Sequence, residues 1–242
     1  MDIKSRLKEL ERDLLACDRI SEEELASRIR EIGFQCRRCG DCCTGEDNSV
    51  IVFPSEVRAI IEATGGSWLD IARPPSEGEM DIDGNFHTLE WRLAKCGESC
   101  KFYSSRKKDT EKEPGCGISC DADLKKSRET GCRIYEVRPA LCSTYPFYLD
   151  DEGLQVSECM GLGGLIDVDA SRVIAEKLIK RRRKEIMEAI ALMERFEDFE
   201  RPVDVNRTAK AKGKGICVVH DSEGEHRISF SLLPDFSPED QS

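Results

Sequence analysis

The run QCRRCGDCCTG at residues 35–45 places four cysteines in eight positions, the last two side by side. A backbone that brings Cys36, Cys39 and Cys42 to one centre must turn tightly twice, and Gly40 permits the closer turn. Thiolates are soft, negative ligands suited to zinc or to the iron of an iron–sulfur cluster. Three cysteines at this spacing match the first three ligands of a ferredoxin-type run, but no fourth Cys followed by Pro lies nearby. A distant cysteine must therefore complete the site, and a zinc knuckle would need remote partners too. Neighbouring side chains point about 100 to 180° apart in helix or strand, so Cys43 is expected to face away from the centre that Cys42 serves. It then serves a second centre or the far side of one large cluster; the plain alternative is a buried thiol behind the ligands.

Thirteen cysteines in 242 residues, behind the charged start MDIKSRLKELERDLL with no apolar leader, point to a reducing compartment, and the expected location is cytoplasmic. No stretch approaches the ~20 apolar residues of a membrane span. With 35% charged residues and a net charge of −11, the chain lacks the basic face that nucleic-acid binding needs. The run Lys180–Lys184 is expected to lay its stems along an apolar helix face. Cys17 and Cys217 stand apart from the other cysteines and read as buried free thiols.

Apolar spacing at Leu7, Leu10 and Leu14 predicts a first helix, and Ser21 with Glu24 forms a capping box for a second, stopped by Gly33. VIVFP reads as a strand, followed by a helix capped by Ser55. Residues 80–91 read as a hairpin about an Asp-Gly turn. Residues 104–130, with seven lysines or arginines, read as a loop or insertion. A long helix follows at 169–200, with Asp169 as its cap, Ile179, Ile186, Ile190 and Met193 on one face, and Pro202 at its end. GICVV and HRISFSLL close the chain as a hairpin around DSEGE.

CRRCGDCC at 36–43, CKFY at 100–103, CRIYEVRP at 132–139, LCSTYPF at 141–147 and SEC at 157–159 together resemble the CxxCxxCC cysteine-cluster family, a zinc- or iron-chelating domain often called YkgJ-like. The resemblance spans about residues 34–166 and implies eight metal-binding cysteines: Cys36, Cys39, Cys42, Cys43, Cys100, Cys132, Cys142 and Cys159. Some members carry the name flagellin N-methylase, so a protein-lysine N-methylase is the implied enzyme. The stretch between Cys100 and Cys132 is longer than in the simpler family pattern. It leaves open an extra site from Cys96, Cys116 and Cys120, with Cys100 shared between groups. Arg138 reads as a donor to sulfur or to a nearby acid, and Pro139 and Pro146 fix how Cys142 is presented.

No catalytic constellation accompanies the ligands. GLGGLIDVD at 161–169 has glycines before an acid but no preceding buried strand, so it reads as a loop rather than a nucleotide turn. C-x3-C-x2-C, the usual mark of radical S-adenosylmethionine enzymes, is absent. The three histidines, His87, His220 and His226, are expected at solvent-facing strand positions, which gives little support to a catalytic zinc. The resulting expectation is an α+β protein: a helical arm at 1–33, a small cysteine-rich metal-binding domain at 34–166, and a C-terminal helix and β-hairpin at 167–242. Two four-thiolate iron–sulfur clusters are the preferred cofactors, serving electron transfer or cluster delivery. Two structural zinc ions holding a scaffold for a protein partner fit the same count.

Overall fold

The computed structural model describes residues 3–45, 48–81, 83–104, 131–196 and 215–233. Helices and strands are both present, giving the expected α+β class. Helix α1 (Ile3–Cys17) and α2 (Glu22–Ile32) lie against the long helix α6 (Val168–Phe196). Ser21 accepts the Glu24 N–H at 3.3 Å and Gly33 closes α2 at φ +72°, as the capping pattern predicts. Leu25, Ala26 and Ile29 then bury against Phe147, Leu149, Leu154 and Leu178. A fully buried Ile or Leu in such a seam stabilises by about 1.5–3 kcal/mol. The predicted stripe on α6 holds: Ile186 is buried with Leu10 and Cys17, and Ile179, Ile190 and Met193 pack beside them. Its cap differs, because Asp167, not Asp169, accepts the Ala170 N–H at 2.7 Å. Pro202 lies outside the described residues.

One short sheet joins β1 (Ile51–Val52), β5 (Trp91–Leu93) and β2 (Ala72–Arg73) in the order β1-β5-β2. Helix α3 (Pro54–Thr64) starts one residue before the expected cap. Pro54 takes the first position, where its missing N–H costs nothing, and the Glu56 carboxylate accepts the Phe53 N–H at 3.0 Å. Helix α4 (Trp68–Ile71) follows, and Ile71 is buried.

The larger sheet runs β13-β12-β4-β3, from β3 (Glu79–Met80), β4 (Phe86–Leu89), β12 (Ile216–Asp221) and β13 (Gly224–Ser229). Only the β4–β12 pairing is parallel. The predicted hairpin over 80–91 is therefore cut short. At Glu90, φ +63°, the chain leaves this sheet, and Trp91 begins β5 in the other. Two contacts hold the break: Glu90 N–H donates to the His220 carbonyl at 2.9 Å, and the buried Trp91 indole N–H donates to Asp221 Oδ2 at 2.8 Å. Val52, Val57, Ile60, Ile71, Trp91, Cys217 and Val219 form one continuous core between the two sheets. Cys17 and Cys217 are buried free thiols as expected, and burial pushes the Cys217 thiol up to about 12.

Two expectations about charge change. The histidines are not solvent-facing: His87 and His220 side chains are 10% and 6% exposed, with His87 Nδ1 2.9 Å from His220 Nε2. His226, at 34%, lies over Trp68. Strand alternation sends His87 and His220 away from the main core, but toward each other across the parallel pair. The basic run is also engaged throughout. Lys180 pairs with Glu176, Arg181 with Glu185 and Thr144, Arg182 with Asp151 and Arg183 with Asp18, while Lys184 reaches Ser55 and the Phe53 ring. These side chains tie α6 to its neighbours. Among the described residues no helix is long and apolar enough to cross a membrane.

Candidate metal centre

The doubled cysteine sits in a single 3-10 turn, Asp41–Cys43, entered through Gly40 at φ +91°. A Cβ on Gly40 would meet Tyr103 Oη at 2.1 Å, so both conformation and space demand glycine there. The Cys43 N–H closes the turn onto the Gly40 carbonyl at 2.7 Å, and Asn48 donates to the Cys42 carbonyl. In this turn Cys42 and Cys43 do not point apart: their Sγ atoms stand 3.9 Å from each other. A lone turn belongs to neither a helix nor a sheet ladder, so nothing forces adjacent side chains to opposite faces.

Short strands bring the remaining cysteines to it. β6 (Lys95–Cys96) and β7 (Ser99–Cys100) form a hairpin joined to the turn by the Thr44–Ser99 bridge and by Gly45 N–H on the Glu98 carbonyl. β8 (Tyr103–Ser104) pairs with β9 (Gly131–Cys132), placing Cys132 opposite Tyr103. Cys142 lies on α5 (Ala140–Thr144), whose first N–H is taken by the Glu56 carboxylate at 2.9 Å. Cys42, Cys43, Cys100, Cys132 and Cys142 make up the inner group of thiols: the charges of Cys100 and Cys132 add to the rise of Cys43 and Cys142, and that of Cys42 to the rise of Cys132. Burial first, and then the Cys100, Cys42 and Cys132 charges, push Cys142 up to about 12. The Cys43 contact lowers Cys42 to about 7, with Arg138 helping, while Cys43 is raised by the same contact and by burial.

An outer group lies beside it. Gln35 N–H donates to the Gly161 carbonyl and Phe34 bridges Leu162, which sets the strand leading to Cys36 antiparallel to the turn after Cys159. Cys39 feels Cys159, and Cys36, Cys39 and Cys42 are exposed. The glycine loop serves this packing: a Cβ on Gly161 would strike the Gln35 carbonyl at 2.4 Å. It is a seat for the segment leading to Cys36, although, against expectation, a short strand with Leu154 buried, Gly153–Val156, does precede it.

Several sulfurs also receive backbone amides from two residues on. Gly161 N–H donates to Cys159 Sγ at 3.4 Å, and the amides of Asp41, Phe102 and Ile134 lower Cys39, Cys100 and Cys132. Burial opposes them at all three, and each of those thiols ends raised. Donors aimed at sulfur favour thiolate over thiol, but here burial and neighbouring negative groups outweigh them and leave the protonated thiol favoured at Cys39, Cys100 and Cys132. The donor set suits zinc or iron. Among the described residues no three Cys, His, Asp or Glu side chains are already set to hold one ion, so ligation calls for the thiols to turn inward. Cys96 stands in the β6–β7 hairpin, while Cys116 and Cys120 lie outside the described residues.

Arg138 takes neither expected partner. It donates to the Tyr135 carbonyl at 2.6 Å and lies 3.5 Å from the Tyr135 ring centre. Sequence reasoning overlooked the tyrosines: CKFY, CRIY and CSTY repeat Cys-x-x-Tyr at Cys100, Cys132 and Cys142. Tyr103 and Tyr145 are raised by burial and then by the thiols around them. No family model, curated protein or solved structure matches this chain.

Proposed function

We propose that the chain is a thiolate metal-binding protein of the CxxCxxCC, YkgJ-like type, and that its centre is structural rather than hydrolytic. The observation that carries the reading is the 3.9 Å between the Cys42 and Cys43 sulfurs. Two thiolates on one tetrahedral zinc at ~2.3 Å stand about 3.8 Å apart, so the adjacent pair has the edge length of a single-ion site. In a 4Fe–4S cluster each thiolate binds its own iron, which spreads neighbouring sulfurs further, whereas a 2Fe–2S cluster puts two thiolates on each iron and keeps the same edge. Zinc, or iron in a rubredoxin-like setting without sulfide, therefore fits Cys42 and Cys43 better than a 4Fe–4S cluster, and acid-labile sulfide separates it from a 2Fe–2S cluster.

Two of Cys100, Cys132 and Cys142 complete such a site, and the third joins Cys36, Cys39 and Cys159 to make four thiols for a second. An ion closed in by four thiolates leaves no open position for substrate, so the role that follows is a scaffold for a protein partner. Thiols in this number belong in a reducing compartment, the cytoplasm. Purification without oxygen, followed by measurement of zinc, iron and acid-labile sulfide, tests the reading. Stoichiometric zinc or iron with negligible sulfide is expected. Sulfide equal to iron would restore the cluster, and protein free of both metals would sink the proposal.

A further inference from the structure

Each of the three Cys-x-x-Tyr segments reaches across to a segment bearing another cysteine. Tyr103 Oη donates to the Cys39 carbonyl at 3.1 Å, its ring lying where Gly40 leaves room. Tyr145 Oη donates to the Glu158 carbonyl, one residue before Cys159. The Tyr135 ring lies under two guanidinium groups, Arg138 at 3.5 Å and Arg38 at 4.5 Å. Arg38 comes from the first cysteine run and sits at φ +52°, a left-handed conformation that needs an outside hold. All three tyrosines are only partly buried, so none is a core filler.

In each segment the tyrosine follows its cysteine closely enough to reach a neighbouring cysteine segment from the same short stretch of chain. We infer that Tyr103, Tyr135 and Tyr145 are positioning residues that staple the outer cysteine segments, 36–40 and 158–159, over the inner thiols. The inference rests on the metal-centre reading for its purpose but not for its test. A neutral hydrogen bond contributes about 1 kcal/mol, roughly a fivefold change in an opening equilibrium, and a partly exposed cation–π contact contributes about two- to fivefold.

Amide hydrogen exchange followed by mass spectrometry, on the full chain with reductant and chelator, reads each staple separately. Tyr103→Phe should speed exchange in residues 36–45 about fivefold and leave 157–164 unchanged. Tyr145→Phe should do the reverse. Tyr135→Phe keeps the ring and should change nothing, whereas Tyr135→Leu should loosen 36–45. Exchange along α6 should be the same in every variant. Unchanged loops in Tyr103→Phe and Tyr145→Phe, or acceleration spread equally over α6, would overturn the inference. Competition for zinc against a chromophoric chelator adds a second arm, with about fivefold weaker binding expected in the two Phe variants and equal affinity counting against the staples. If the unaltered chain takes no metal at all, the metal-centre reading fails, while the exchange pattern still decides the tyrosines.

Discussion

The cysteine turn and the β4–β12 sheet both gather polar side chains, but only the sheet pairs its acids and bases at hydrogen-bond distance. On the sheet, Asp81 Oδ2 meets His87 Nε2 at 2.9 Å, and His87 meets His220 at 2.9 Å. Asp221 accepts from the Trp91 indole and lies 2.8 Å from His226 Nε2, a close approach that is poorly directed as a hydrogen bond. Acids and bases alternate there. Around the turn, the charges of Cys42, Cys100 and Cys132 push neighbouring thiols up, and the cations that bear on the group are Arg138, on Cys42, Cys132 and Cys142, and Arg133, on Cys100 and Cys132. The sheet sets Asp81 and Asp221 each at hydrogen-bond distance from a histidine, whereas the proposed metal would supply the closest positive charge at the turn.

The contrast breaks most sharply if the turn does not depend on metal. Changing Cys42 and Cys43 together to Ser should remove one of the two ions, about half of the bound metal. It should also lessen the fall in unfolding temperature caused by chelator, since binding to such a site is itself folding free energy, on the order of 10 kcal/mol in small zinc domains. Retention of the full metal content by that variant, measured by elemental analysis, would show that the pair is not in the site.

Next in size is the sheet's own anchor. Trp91→Ala removes a residue only 1% exposed and takes the indole donor from Asp221 Oδ2, so chemical denaturation should show a loss of about 3–5 kcal/mol, independent of metal. Gly40→Ala should cost less, about 1–3 kcal/mol, by forcing alanine to φ +91° against Tyr103. Unlike Trp91→Ala, it should also weaken metal binding; equal affinity would detach the turn from the site.

A pH test is finer still. Burial alone would raise Asp81, but bonds from the Asn85 and His87 side chains and from the Asn85 and Asp83 amides hold it at about 2, below its ordinary 3.8. A depressed carboxyl stabilises the fold above its unfolded value and loses that contribution as pH falls through the folded one. Asp81→Asn should therefore cost about 1–2 kcal/mol at neutral pH, allowing for partial exposure. The difference from the unaltered chain should close by about pH 2 in urea titrations; a difference constant with pH would break the acid–base account of the sheet.

What could be read in advance was local. Ser21, Glu24 and Gly33 marked α2 because a cap is satisfied within four residues, and Ile179, Ile186, Ile190 and Met193 marked α6 because one helix carries its own period. The β12–β13 hairpin followed from DSEGE for the same reason. The pairing of Phe86–Leu89 with Cys217–His220 depends on residues far apart in the chain, so neither the burial of the histidines nor the break at Glu90 could be anticipated. In the site, the eight cysteines came from the family resemblance, and the structure sets the sulfurs of one adjacent pair, Cys42 and Cys43, 3.9 Å apart. The side-by-side thiols of Cys42 and Cys43 escaped notice because helix and strand periodicities do not describe a lone turn. The Cys-x-x-Tyr repeat is visible in the sequence, but what each tyrosine reaches depends on segments elsewhere in the chain, those of Cys39 and Glu158 among them.

The parallel pairing of β4 with β12 carries a consequence for how such a chain is made. His87 and His220 are 133 positions apart, and synthesis proceeds from one to the other. At ribosomal rates of about 5–20 residues per second, β4 waits several seconds for the strand it must pair with. Through that interval the Trp91 indole has no Asp221 to bond, the core between the two sheets lacks Cys217 and Val219, and the cysteine turn has already been made. The nascent thiols thus meet the cell's metal ions and oxidants before the sheet that steadies them exists.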